Sequence, residues 1–190
     1  MNTTDQKQET IVSELTMLLP FAEYDIGKFI QLHRADKNNN MGRFCLKEYT
    51  EEQAIFYITK LLNSGEIFAW TVYTNEEYPK FVGFIYLSNV TQYMVSMHGI
   101  MDMEFAKYSR KDKMDKTYAE DAQVALVNYC FEKGVHRIET DICESNRSAL
   151  ALVKRVGFIK EGVLRDVVIK DKGFENLVVL SILKDEYGQK

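Results

Sequence analysis

Asp102 and Glu104 stand two residues apart in a segment, Met94–Tyr108, whose pattern fits a strand, so both carboxylates fall on one face. Paired there, they raise one another's pKa and favour a cationic partner such as an amine. Further along, Arg110, Lys111, Lys113 and Lys116 crowd the turn ahead of a helical segment that begins at Tyr118. Cationic side chains and the positive end of that helix together attract an anion. A solvated Lys/Asp-rich surface turn is the plain alternative, because Asp112 and Asp115 sit among the cations. Thr117 followed by Glu120 has the form of a capping box, which would satisfy the helix's own first N–H groups. His33 continues an apolar stripe and reads as a packing residue. Cys45, Cys130 and Cys143 are widely spaced with no CxxC pair, so neither a zinc site nor a disulfide framework is expected.

The elements that must position these groups centre on Val135–Asp166. Ile138, Thr140 and Ile142 alternate with Glu139, Asp141 and Cys143, as in a strand. Ser145 and Asn146 are helix-capping types, and Leu150, Leu152, Val153 and Val156 give a short helix its apolar positions. Gly157 supplies the left-handed C-terminal cap, and Phe158 opens the next strand.

The spacing predicts a first strand over Leu15–Leu19, ended by Pro20, then a helix from Asp25 with the stripe Ile26, Phe29, Ile30 and His33. Ala35–Gly42 reads as a polar loop. Thr50 and Gln53 form a capping box opening a helix with the stripe Ala54, Ile55, Ile58, Leu61 and Leu62, stopped near Gly65. Strands follow over Ile67–Thr74 and Phe81–Asn89. Tyr118–Lys133 is an amphipathic helix, with Ala122, Ala125, Leu126, Tyr129 and Cys130 on one side, Gln123, Asn128 and Glu132 on another, and Gly134 as its cap.

A chain of 190 residues, 46% apolar and 27% charged, is sized and composed as one soluble domain. The expected layout is a polar arm over 1–10 and a single domain over 11–190. A net charge of −4, well mixed, argues against nucleic acid or an anionic membrane as main partner. The polar start has no signal peptide, no apolar run reaches spanning length, and the unpaired thiols suit the cytoplasm.

His136-Arg137-Ile138-Glu139, Asn146, Arg155, Gly157-Phe158, Glu161-Gly162 and Leu164-Arg165 resemble the GNAT superfamily of N-acetyltransferases. The likeness is to the branch of the ribosomal-protein N-terminal acetyltransferases (RimJ/RimL-like), and Gly173–Tyr187 is similar to its closing strand. The resemblance implies an α/β GNAT fold: a mixed, mostly antiparallel sheet with splayed fourth and fifth strands, flanked by helices. It implies acetyl-CoA as cofactor and an amine acceptor, a protein N-terminus or a small amine or amino sugar. A homo-oligomer or larger assembly is compatible with it.

By the same resemblance Glu104 is the candidate base on the splayed strand, and Phe105, Ala106 and Lys107 line the pantetheine slot. Relatives carry Q-x-x-G-x-G/A where this chain has Lys113, Met114, Asp115, Lys116 and Thr117 before Tyr118. Both glycines are gone and Asp115 brings a negative charge, so the pyrophosphate loop is degenerate and the cations must supply the attraction. Asn146 is placed at the cofactor or acceptor. Val153 stands where many relatives have a tyrosine acid, and Ala149 where the Rim-like branch has serine, leaving water or Tyr108 as proton source. The alternative is a GNAT fold that has lost turnover and serves as a binding or structural component.

Overall fold

The computed structural model describes residues 8–35, 46, 48–101, 117–170 and 173–188. These build a sheet of eight strands in the order β1-β2-β3-β4-β5-β6-β8-β7. The strands are β1 (Ile11–Val12), β2 (Thr16–Pro20), β3 (Ile67–Thr74), β4 (Phe81–Ser88), β5 (Met94–Met101), β6 (Arg137–Cys143), β7 (Ile159–Lys170) and β8 (Gly173–Leu183). The helices among the described residues are α1 (Ile26–Ala35), α2 (Glu51–Asn63), α3 (Tyr118–Glu132) and α4 (Arg147–Val156). Neighbouring strands run antiparallel except β5 and β6, which are parallel. The expected α/β architecture is therefore the observed one.

Period-two alternation sends each strand's residues to one of two cores. Trp70, Val72, Ile85, Leu87, Val95 and Ile138 pack with α3 and α4, whereas Ala69, Phe84, Tyr86 and Ile100 pack with α1 and α2. Trp70 is fully buried and its Nε1 donates to the Glu9 carbonyl at 3.0 Å, so the described end of the polar arm lies against β3. Truncating a side chain of this kind costs about 3–5 kcal/mol.

The stripe Ile26, Phe29, Ile30 and His33 is buried as the spacing requires. The helix start differs: Glu23–Asp25 is a 3-10 turn, and the Asp25 carboxylate accepts from the Ala22 N–H and the Thr71 hydroxyl, both at 2.9 Å. The strand expected over Leu15–Leu19 is β2, one residue later at Thr16–Pro20, and a short unpredicted strand, β1, pairs ahead of it. The fourth strand of the sequence reading is consequently β5. Both bonds of the Thr50/Gln53 capping box form, at 2.9 and 3.2 Å. In α2 only Ala54 and Ile58 are fully buried, while Ile55 is exposed, since the helix meets the sheet along a narrow stripe. Gln123, expected on a polar face, is buried because α3 packs against β1, β2, β4 and α4 together.

Two glycines sit where a side chain would not fit. Gly157 adopts φ +117° past the end of α4, the left-handed region that glycine enters without strain. A Cβ on Gly83 would lie 2.4 Å from the Ile100 carbonyl oxygen. Bare backbone there lets the far end of β5 close on β4. At its other edge β5 departs from β6. The two pair only at Met94–Arg137, Val95–Ile138 and Ser96–Glu139. Beyond, β5 follows β4 to Met101 while β6 follows β8 to Cys143. The sheet therefore opens after Ser96 and Glu139.

Candidate active site

On the α1/α2 face a cleft of about 730 Å³ runs from the β4–β5 turn to the start of that opening. Phe21, Phe29, Tyr57 and Tyr86 supply aromatic wall, and His98 and Asp141 reach it from β5 and β6. Period two explains the polar floor. Ser96, His98 and Ile100 share one face of β5, and Glu139 and Asp141 the matching face of β6. Glu139 is engaged: it accepts from the Ser96 hydroxyl at 3.1 Å and lies 3.5 Å from Arg137. Arg137 in turn forms a two-pronged pair with Glu161, at 2.7 and 2.5 Å. That guanidinium and the Ser181 hydroxyl hold the Glu161 carboxyl down to about 2.

One step further into the opening, His98 is fixed on two sides. Its ring stacks on Tyr86, centroids 5.1 Å apart and planes 27° apart, and Nε2 lies 3.1 Å from Ser88 Oγ. Burial lowers the His98 pKa, opposed by the charges of Asp141 and Glu139. Burial raises that of Tyr86, helped by Asp141 and then Tyr57. Asp141 itself makes no hydrogen bond or ion pair among the described residues.

The second pole is the N-terminus of α3. Asp121 is fully buried and accepts from the Leu15 N–H at 3.1 Å and the Thr16 hydroxyl at 2.7 Å, tying the first turn to β2. Thr117 Oγ1 accepts from the Glu120 N–H at 3.2 Å, the first half of the expected capping box. The second half does not form: the Glu120 carboxylate turns to Arg155 of α4, at 2.9 Å.

The profile of the acetyltransferase (GNAT) domain family matches residues 16–159. The chain belongs to the GNAT acetyltransferase family. No curated protein matches it by sequence. Solved structures share its fold. A probable GNAT acetyltransferase from Chromobacterium violaceum is 19% identical with TM-score 0.72, covering 97% of this chain and 90% of that one. A ribosomal L7/L12 α-N-protein acetyltransferase, RimL, solved with coenzyme A, is 12% identical with TM-score 0.73, covering 92% and 98%. Spermidine N-acetyltransferase from Vibrio cholerae, solved with CoA and spermine, is 16% identical with TM-score 0.74, covering 90% and 97%. GNAT proteins use acetyl-CoA, so the enzyme class read from the sequence stands.

Of the site residues expected in this GNAT chain, Glu104, Phe105, Ala106, Lys107, Lys113, Met114, Asp115 and Lys116 lie outside the described residues. Thr117 and Tyr118 open α3. Thr117 acts as the cap, and the Tyr118 hydroxyl donates to Glu76 at 2.7 Å, towards the β3–β4 turn. Asn146 caps α4, its Oδ1 accepting from the Ala149 N–H at 3.2 Å and the Ser148 hydroxyl at 3.1 Å. His98 and Asp141 were not among the expected site residues. Their signal was the polar alternation on the two strands, which becomes a site only once β5 and β6 are known to be neighbours. The residues fit an acyl-CoA in one visible respect. Past Ser96 and Glu139 the facing edges of β5 and β6 share no ladder pair, leaving backbone for an extended ligand to pair with.

Proposed function

We propose that the protein is an acetyl-CoA-dependent N-acetyltransferase of the RimJ/RimL-like branch whose acceptor is a primary amine, a protein N-terminus or a small amine, acting in the cytoplasm. The observation that carries the acceptor class is the chemistry of the cleft. Its charged lining groups among the described residues are the carboxylates Glu66 and Asp141, set in aromatic wall with no lysine or arginine. Aromatic faces and carboxylates favour a cationic amine and disfavour an anionic acceptor. Bound acetyl-CoA supplies the acetyl group as a thioester. Of this chain's own residues, the diverging edges of β5 and β6 would orient it and the N-terminus of α3 would receive its phosphates, and by the family resemblance Lys113 and Lys116 would supply the matching charge.

Thermal shift with acetyl-CoA, followed by thiol release with spermidine, a free-N-terminus peptide and glucosamine, tests this reading. Ligand at a hundred times its Kd stabilises the native state by about 2.7 kcal/mol. The expected result is a raised midpoint and turnover of at least one amine. No shift at millimolar acetyl-CoA means the cofactor does not bind and moves the reading to a GNAT fold that has lost turnover and serves as a binding or structural component, which the Thr117 cap on α3 favours.

A further inference from the structure

The acceptor reading leaves the destination of the amine's proton open. Resting on that reading, we infer that His98 takes the proton of the acceptor ammonium at Nδ1, held in the receptive tautomer by donation of its Nε2–H to Ser88 Oγ.

Three observations converge on this ring. It lines the cleft two residues past the last β5–β6 rung, Ser96–Glu139, where the sheet begins to open. It is immobilised by the Tyr86 stack and the 3.1 Å contact to Ser88. Among the described residues, the titratable groups facing it are Asp141 and Glu139 from β6, Tyr86 from β4, and Tyr57 and Glu66 across the cleft from α2 and the turn after it. None of these is a cation. Burial keeps the imidazole neutral at physiological pH, and the two carboxylates favour the imidazolium once a proton arrives. A proton acceptor needs both properties. Glu139 is already tied to Ser96 and Arg137, so Asp141 is the carboxylate left to balance the new charge.

An amine that enters as a cation must lose a proton before its electron pair can form the C–N bond. Amide formation releases two protons from nitrogen: one comes to His98 Nδ1 and passes on to solvent, and the other accompanies the departing sulfur. Ser88 is a positioning residue in this scheme, and Asp141 an electrostatic one.

His98→Gln tests it, with spermidine and the free-N-terminus peptide as acceptors. The wild type should hold a level kcat/KM between the His98 pKa and that of the amine. The variant, dependent on the free-base amine, should lose on the order of 10²–10³-fold at neutral pH with spermidine, whose amines titrate like lysine at about 10.4, and only about tenfold with the peptide, whose α-amine titrates at about 8, the loss shrinking about tenfold per pH unit towards each amine's pKa. An unchanged acetyl-CoA thermal shift shows that the variant is folded. If it does not fold, Ser88→Ala carries the test. That change keeps the imidazole, lowers turnover about tenfold, and shifts the ring tautomer. Independently of activity, nitrogen-15 NMR of the wild-type imidazole should show the proton on Nε2. A proton on Nδ1, a loss in His98→Gln that is flat with pH, or the sloping profile appearing in Glu104→Gln instead overturns the role of His98. A wild type that transfers to no amine overturns the acceptor reading, and the role of His98 with it.

Discussion

The hydroxyl of Thr16 donates to the carboxylate of Asp121 at 2.7 Å, and both side chains are fully buried. One oxygen of that carboxylate also receives the Leu15 N–H. A single acidic residue in the first turn of α3 thus fixes where that helix begins relative to the sheet, and a negative charge there suits the helix dipole.

Asp121→Ala leaves two buried donors without an acceptor, at about 1–3 kcal/mol each. The expected loss is roughly 2–6 kcal/mol in a urea titration, with acetyl-CoA affinity falling in the same variant because the start of α3 is no longer seated. Full stability in that variant would show that Leu15 and Thr16 find other acceptors.

His33 gives the stability a pH dependence whose sign is fixed by its burial. Its pKa is lowered from 6.5 to about 4 because the ring is enclosed in the α1/α2 core. The folded state therefore binds fewer protons than the unfolded state between those values. Its contribution is full above pH 6.5 and is lost as pH falls towards 4. The loss is roughly 3 kcal/mol across that window. His33→Leu should flatten this part of the curve, as followed by denaturant midpoints from pH 7 to 4. An equal slope in the variant would assign the dependence elsewhere.

Asn146 separates capping from ligand contact. Asn146→Ala should cost about 1 kcal/mol through the lost α4 cap, and Asn146→Asp should retain it. If the side chain only caps, the aspartate variant keeps both its melting point and its acetyl-CoA shift. A variant that melts normally but loses the ligand shift would place Asn146 at the cofactor.

Local rules made the scaffold readable. The Thr50 capping box, the bounds of β3 and the alternation of β6 are each decided by residues close in sequence, and all appear as expected. β1 escaped because two residues carry no period. Gln123 misled because its side chain predicts solvent, whereas α3 is enclosed on several sides. The site was harder to read for a topological reason. His98 and Asp141 come from strands separated by all of α3, and no local pattern announces that β5 and β6 lie side by side and part after three pairs. The resemblance supplied the opening between those strands, but not which side chains face it.

That opening also divides the sheet mechanically. Among the described residues, β1–β5 and β6–β8 are stitched at one seam of three rungs, and every other pairing lies within one half or the other. A molecule lying in the wedge becomes an extra rung shared by both halves. Occupancy should therefore slow amide exchange in β5 and β6 in step, making the substrate part of the sheet's own architecture while it is bound.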